Sequence, residues 1–165
     1  MAKQNKKEQP KTSSNNAPVK VITVNRQAYH DYYIERTIEA GIALKGTEIK
    51  SIRDGKVNLR GSYAIARNGE LWLENAHIAV YEHGNRYNHE PMRSRKLLLH
   101  RREIDRLFGQ VVEKGLTVVP LRLYFKGGRV KAEIAVVRGK KLFDKRESEK
   151  RRELDREAAA AVKQR

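Results

Sequence analysis

Cysteine is absent from this 165-residue chain, which excludes disulfides, thiol nucleophiles and Cys-ligated zinc. Aromatic residues make up only 7% and all apolar residues 39%, enough for one small core but not for two full domains. No run approaches the roughly 20 apolar residues that a membrane-spanning helix requires. The opening Met1-Ala2-Lys3-Gln4-Asn5-Lys6-Lys7 has no apolar stretch of the signal-peptide kind. Neither Gly-x-Ser-x-Gly nor a Walker loop occurs, and no acidic cluster suited to a metal-dependent nuclease is visible. These absences leave a cytoplasmic protein with no membrane segment and no visible catalytic motif, and no cofactor is expected.

What the chain has in excess is positive charge. Lysine and arginine number 36 against 20 acids, a formal charge of +16. Residues 1–24 carry +4, residues 25–137 carry +7 and residues 138–165 carry +5, so a basic middle is extended at both ends. Solubility alone asks for a magnitude of only about 2–8. A polyphosphate partner fits better, because each neutralised phosphate releases condensed counterions. An anionic membrane fits less well, since no basic helix face stands opposite large apolar residues.

Residues 1–20 are rich in Lys, Gln, Asn and Ser and are expected to be disordered, with structure beginning near Val21. From Tyr32 to Leu44 the even positions are apolar except Arg36, the period of a long strand, and Gly41 is expected to bulge or bend it. Thr47 to Gly55 reads as a short helix, with Thr47 as cap and Gly55 as left-handed stop. Val57, Leu59, Tyr63 and Ile65 alternate toward Asn68-Gly69, a dipeptide for a tight primed turn, and Glu70 to Tyr81 returns. Residues 82–94 read as a flexible polar loop. Ile104, Leu107, Phe108, Val111 and Val112 recur at helical spacing up to Gly115. Two further alternating runs flank Lys126-Gly127-Gly128-Arg129, and Pro120 argues for an edge or a bulge.

These elements suggest a mainly β protein with flanking helices. The compact solution is a closed antiparallel barrel of the oligonucleotide-binding (OB) type over residues 21–138. Residues 139–165 form a separate basic tail. Asp144-Lys145-Arg146-Glu147 can start a helix, yet beyond residue 144 only Leu154 and Val162 are large and apolar. Such a tail is expected to be partly disordered alone and helical on an anionic surface.

His83 and His89 lie near Glu82 and Glu90 but without metal-ligand spacing, so no metal site is expected. His77 reads as a structural histidine, and His100 as a helix cap with Glu103 three residues on. RNA binding by such a barrel uses basic grooves and stacking rings. Tyr32 and Tyr63 share parity with aliphatics and read as core; His30 and Tyr33 are the better stacking candidates. Candidate phosphate contacts are Arg93, Arg95, Lys96, Arg101, Arg102, Lys126, Arg129, Lys131, Arg138, Lys140 and Lys141. Gly139-Lys140-Lys141 stands out, since glycine admits a close phosphate backbone.

Four segments carry a resemblance. Gly41-Ile42-Ala43-Leu44-Lys45-Gly46-Thr47-Glu48-Ile49-Lys50-Ser51 is one, and Arg95-Lys96-Leu97-Leu98-Leu99-His100 the second. Gly115-Leu116-Thr117-Val118-Val119-Pro120-Leu121 is the third, and Gly139-Lys140-Lys141 followed by Asp144-Lys145-Arg146 the fourth. In order and spacing, from about Asn25 to Arg146, they resemble the SmpB (SsrA-binding protein) family of bacteria. The resemblance implies an OB-type barrel with a basic tail, without enzymatic activity. It implies binding to the tRNA-like domain of transfer-messenger RNA and delivery of that RNA to stalled ribosomes in trans-translation. Its partners would be that RNA, the small-subunit decoding region and mRNA channel, and elongation factor Tu through the shared RNA. Carried over by position, the RNA-binding residues would be Asn25, His30, Tyr32, Glu39, Leu98 and His100 with Gly139, Lys140 and Lys141; Lys131 joins them from the basic candidates. Asp144, Lys145 and Arg146 would engage the ribosome. Phe143 stands where some relatives have histidine, which preserves stacking but not protonation. The alternative is a structural protein of the ribosome that binds ribosomal RNA.

Overall fold

A computed structural model of the chain describes residues 17–163, and the expected disorder of residues 1–16 lies outside them. Nine strands and four α-helices occur among the described residues. Strand β1 is Val19–Val24, helix α1 Arg26–Asp31, strand β2 Tyr32–Ile42 and helix α2 Gly46–Arg53. Short strands β3 (Val57–Asn58), β4 (Tyr63–Arg67), β5 (Glu70–Glu74) and β6 (His77–Ile78) follow. Then come β7 (Arg95–Leu98), α3 (Arg101–Lys114), β8 (Thr117–Lys126), β9 (Arg129–Gly139) and α4 (Leu142–Lys163).

Seven strands share one antiparallel sheet in the order β1-β8-β4-β5-β7-β2-β9, and β8 also pairs with β9. β3 and β6 make a separate two-stranded ladder. The main core gathers Ile38, Ala40 and Ile42 of β2, Leu71 and Leu73 of β5, Leu107 of α3, and Leu123, Ala132, Ile134 and Val136 of β8 and β9. Burying such side chains is the dominant stabilising term, about 25 cal/mol per Å² of apolar surface removed from water. A second, smaller cluster packs Ala28 of α1 on Val119, Leu121, Ala135 and Val137, with Tyr29 and Tyr32 partly buried beside it.

Several local expectations are corrected. Ordered strand begins at Val19, because β1 adds to β8 with Val19 opposite Lys126. The irregularity in β2 falls between Ile34 and Arg36, and Gly41 stays in the ladder opposite Leu98. That bulge puts Ile34 on the face opposite Ile38 and leaves it exposed, whereas Arg36 stays on the face of Ile38 and Ala40. At Gly41 a Cβ would stand 3.1 Å from Leu98 Cβ, so the glycine serves close strand approach. Helix α2 is capped at Lys45, whose N–H donates to the Glu48 carboxylate at 2.7 Å; Thr47 instead pairs with His89. The run Val57–Ile65 divides into β3 and β4, because a turn through Gly61 (φ 72°) separates them. Its parity then places Ala64 inside and leaves Tyr63 41% exposed rather than in the core. The returning arm divides as well, at Asn75 (φ 58°), into β5 and β6. Residues 82–94 are tied down: His89 is buried between Thr47 and the Ile78 carbonyl, and Arg93 reaches Glu48. His77 is exposed, because β6 turns Ile78 inward, and Val112 lies on the solvent side of α3.

Other expectations hold. Gly55 and Gly115 adopt positive φ at the ends of α2 and α3, and Asn68-Gly69 (φ 53° and 73°) turns β4 into β5. Pro120 sits at a register shift in β8.

Candidate nucleic-acid interface

Strands β2 and β9 run antiparallel from Tyr32 opposite Gly139 to Gly41 opposite Lys131. At about 3.3 Å per residue this ladder is roughly 30 Å long. Most of the residues singled out from the sequence lie along it or at its two ends.

At one end, Glu39, Leu98, His100 and Lys131 line a single open groove with Gly41, Leu99 and Glu103. They converge because β7 pairs with β2, setting Leu98 opposite Gly41, while β9 brings Lys131 to the other side of the same residue. Leu98 is 51% exposed, a large apolar side chain presented to solvent beside charged ones. His100 precedes α3, and its N–H donates to Glu103 at 3.0 Å, as a capping arrangement requires. Glu39 faces Glu133 across the ladder, and cations and a phenol offset that repulsion. The Tyr124 hydroxyl donates to Glu39 at 2.5 Å and Lys126 Nζ stands 3.1 Å away, while Arg122 pairs with Glu133. The Tyr124 hydrogen bond, helped by Lys126, holds the Glu39 carboxyl below its ordinary pKa against a smaller effect of burial. Burial and the hydrogen bond to Glu39 push the Tyr124 phenol upward. The groove thus offers an ionised acceptor, an apolar shelf, a lysine and an imidazole.

At the other end, α1, the end of β9 and the start of α4 meet. His30 Nδ1 lies 2.8 Å from Asp31 and Nε2 lies 2.6 Å from Glu149 of α4. The hydrogen bonds to Asp31 and then Glu149 raise the His30 pKa. Lys145 of α4 stands 3.2 Å from Asp31. Lys140 donates to the Tyr29 carbonyl and to Ser148, both at 3.4 Å. The Tyr33 ring, 40% exposed, carries Lys140 Nζ 5.1 Å and the Arg138 guanidinium 5.7 Å from its centroid. Gly139 and Lys141 are exposed, and Asp144 accepts the Lys141 N–H at 3.2 Å. Lys145 is half-buried against α1, and Arg146 is exposed.

Asn25 and Tyr32, the latter opposite Gly139 at this end of the ladder, line a cavity of about 240 Å³ with Asp31, Ser62 and Tyr63. Asn25 is buried, and its side chain is engaged within the protein: Oδ1 accepts the Ala28 N–H and Nδ2 donates to the Pro120 carbonyl. It fixes the start of α1 on β8. Tyr63, read as core, lines this cavity as an accessible ring beside Tyr32. The only sequence signal for that was the turn separating β3 from β4.

Among the basic candidates Arg95 is corrected. It is fully buried, donating to Glu48 at 2.8 Å and to the Ala76 and Pro91 carbonyls, and cannot meet a phosphate. Arg93 is spent on the same Glu48. Lys96 pairs with Glu70. Both ring nitrogens of His89 have protein partners, the Thr47 hydroxyl and the Ile78 carbonyl. No helix among the described residues is long and apolar enough to cross a membrane.

Comparison with known proteins gives a consistent result. The family model described as SmpB protein matches residues 22–164. The chain is 61% identical over 146 residues to an SsrA-binding protein of Carboxydothermus hydrogenoformans, covering 88% of this chain and 98% of that one. It is 58% identical over 146 residues to an SsrA-binding protein of Geobacillus kaustophilus, covering 88% of this chain and 94% of that one. A solved chain described as "tmRNA-SmpB: a journey to the center of the bacterial ribosome" superposes with a TM-score of 0.62 at 55% identity. That match covers 76% of this chain and 87% of the other. With a family model matching residues 22–164 and relatives at about 60% identity along most of their length, this chain belongs to the SmpB family.

Proposed function

We propose that this protein binds the tRNA-like domain of transfer-messenger RNA and carries it to stalled ribosomes for trans-translation, tagging the nascent peptide and releasing the ribosome. The observation that carries this reading is the convergence of Glu39, Leu98, His100 and Lys131 in one groove of a chain whose relatives are SsrA-binding proteins. A ring of strands of this kind acts as an OB-type barrel. The hydrogen-bonded order β8-β4-β5-β7-β2-β9 returning to β8 supports it. Lys131 supplies backbone affinity. Glu39 supplies selectivity, since a carboxylate accepts hydrogen bonds from base N–H groups or a ribose 2′-hydroxyl. At the far end, His30, Tyr32, Gly139, Lys140 and Lys141 extend the same contact, and Asn25 acts by holding α1 in place. The unit that binds RNA spans residues 21–138, with residues 1–20 a basic arm and residues 139–165 a tail that takes its working helical form in the ribosome.

Asp144, Lys145 and Arg146 engage the small subunit, and the helix beyond them occupies the empty mRNA channel. Elongation factor Tu joins through the shared RNA, and the work is cytoplasmic. A purely structural role on ribosomal RNA is the weaker reading, because the relatives are named for SsrA RNA. Recovery of the tagged protein from cells, followed by RNA sequencing, tests the proposal. One dominant small RNA is expected; ribosomal RNA in bulk without it would refute the reading.

A further inference from the structure

β1 enters the sheet at the Glu39 end of the molecule. Val19 lies opposite Lys126 of β8, and Lys126 Nζ is the group 3.1 Å from Glu39, which lines the groove with Leu98, His100 and Lys131. Gly128 and Arg129, exposed in the turn after Lys126, line an adjoining groove with Leu98 and Lys131. The chain that precedes Val19 therefore leaves the sheet beside both grooves.

That preceding stretch carries Lys3, Lys6, Lys7 and Lys11 against the single acid Glu8, and Met1 is its only large apolar residue. It has almost nothing with which to cover the apolar side chains of these grooves. Its lysines would also meet like charge on the body. Glu39 and Glu133 are already paired with Lys126 and Arg122, while Lys20, Arg129 and Lys131 form no ion pair among the described residues. A polyanion laid across this end removes that repulsion and satisfies both sets of cations. At no more than about 3.6 Å per residue, Lys11 stays within roughly 30 Å of Val19 and Lys3 within roughly 60 Å, a reach well beyond the groove. The family match begins only at residue 22, and 146 of the 165 residues account for 98% of the Carboxydothermus relative, so the stretch stands outside the shared body.

We propose that the residues preceding β1 are a second RNA-binding element, an electrostatic arm that neutralises phosphates of the same RNA that the groove selects. Resting on the function proposed above, this divides the labour. The groove at Glu39 discriminates between RNAs, and the arm adds affinity without discrimination, as basic arms with no structured base-reading surface do. Each phosphate that a lysine neutralises releases counterions and steepens the log–log salt dependence by about 0.7–0.9. Four lysines set the ceiling on what the arm contributes.

The test compares the full native chain with two full-length variants that lose the same charge. The arm variant carries Lys3→Gln, Lys6→Gln, Lys7→Gln and Lys11→Gln, all outside the sheet. The body variant carries Arg53→Gln, Arg60→Gln, Arg86→Gln and Lys114→Gln, at exposed positions away from the groove and the β2–β9 ladder. Binding is measured across a salt series for the tRNA-like RNA and for an unrelated RNA hairpin of equal length. With two or more phosphates contacted, the salt slope of the arm variant should be shallower by about 1.4 or more. Its deficit against the native chain should then narrow about sevenfold or more between about 50 and 200 mM salt. The deficit should be alike for both RNAs, and the body variant should stay near the native slope. If the arm variant binds as the native chain does, or the body variant loses as much, the arm is overturned while the proposed function stands. A deficit confined to the tRNA-like RNA would also overturn it, since the arm would then be discriminating. If the native chain shows no preference for the tRNA-like RNA over the hairpin, the proposed function falls and the arm's assignment with it.

Discussion

Arg95 is the residue whose role is least visible in its local sequence. In Arg95-Lys96 it looks like half of a basic surface pair, yet the guanidinium is fully enclosed with Glu48, 47 positions earlier. Burial alone would raise the Glu48 pKa, but Arg93, the Lys45 N–H and Arg95 together hold it below the ordinary value. Removing one partner of a buried pair leaves an uncompensated charge and typically costs about 3–5 kcal/mol. Arg95→Met should lose stability of that order in urea unfolding, while its folded fraction binds RNA normally. A loss of RNA affinity at unchanged stability would return Arg95 to the list of phosphate contacts. Glu39 is the converse case, an exposed acid whose partners Tyr124 and Lys126 keep it ionised. Glu39→Lys adds positive charge beside Lys126 and Lys131, so affinity for unrelated RNA should rise while preference for the tRNA-like RNA falls. Competition binding against bulk RNA measures this, and improved selectivity would remove Glu39 from the interface. The sequence showed Glu39 on the outward parity of β2, and the family resemblance marked it as a contact. That Leu98 and His100 would arrive beside it depended on the pairing of β2 with β7 across more than fifty residues. Local periodicity has no access to such a pairing.

At the scale of elements, periodicity worked wherever a strand or helix kept one register. α3 and the β8–β9 hairpin emerged from alternation, spacing and glycine turns. It failed where an extra residue changed the face, as at Glu35 in β2, or where a turn reset the parity, as between Asn58 and Tyr63. A bulge leaves no compositional mark when its residues are as ordinary as Ile34-Glu35-Arg36. Gly139 shows how an element can carry a demand that its own fold does not make. It ends β9 opposite Tyr32, its φ lies outside the left-handed range, and a Cβ there would meet nothing within 4 Å. Glycine in a strand is destabilising by roughly 0.5–1 kcal/mol relative to alanine, so the protein alone would be served better by a side chain. Gly139→Val should therefore melt at the same temperature or higher. It should nonetheless weaken RNA binding or tagging, because the new side chain blocks a close phosphate backbone. Unchanged binding and tagging would show that the glycine serves no partner.

The whole molecule divides its labour by burial. The sheet carries both hydrophobic clusters, whereas α4 projects 22 residues, about 33 Å of helix, with its large apolar side chains exposed. The sequence reading anticipated a tail without a core of its own, but not the polar anchors from His30 and Asp31, which lie more than a hundred residues away. Cutting the chain after Lys141 removes eight basic and six acidic side chains, only two of the sixteen net positive charges. The long-range attraction for RNA, which scales with contacted phosphates, should hardly change. The β2–β9 ladder and the groove at Glu39 also remain whole, since none of their residues belongs to α4. The truncated protein should accordingly bind the tRNA-like RNA within a few-fold of the full chain, with a similar salt slope. Having lost Asp144, Lys145, Arg146 and the helix that follows, it should fail to support tagging on ribosomes stalled on truncated messages. Binding by filter retention across a salt series and tagging in a reconstituted translation system read the two properties separately. Loss of both together would mean that the sheet and the tail form one binding surface, and tagging without the tail would mean that α4 is dispensable to the work on the ribosome.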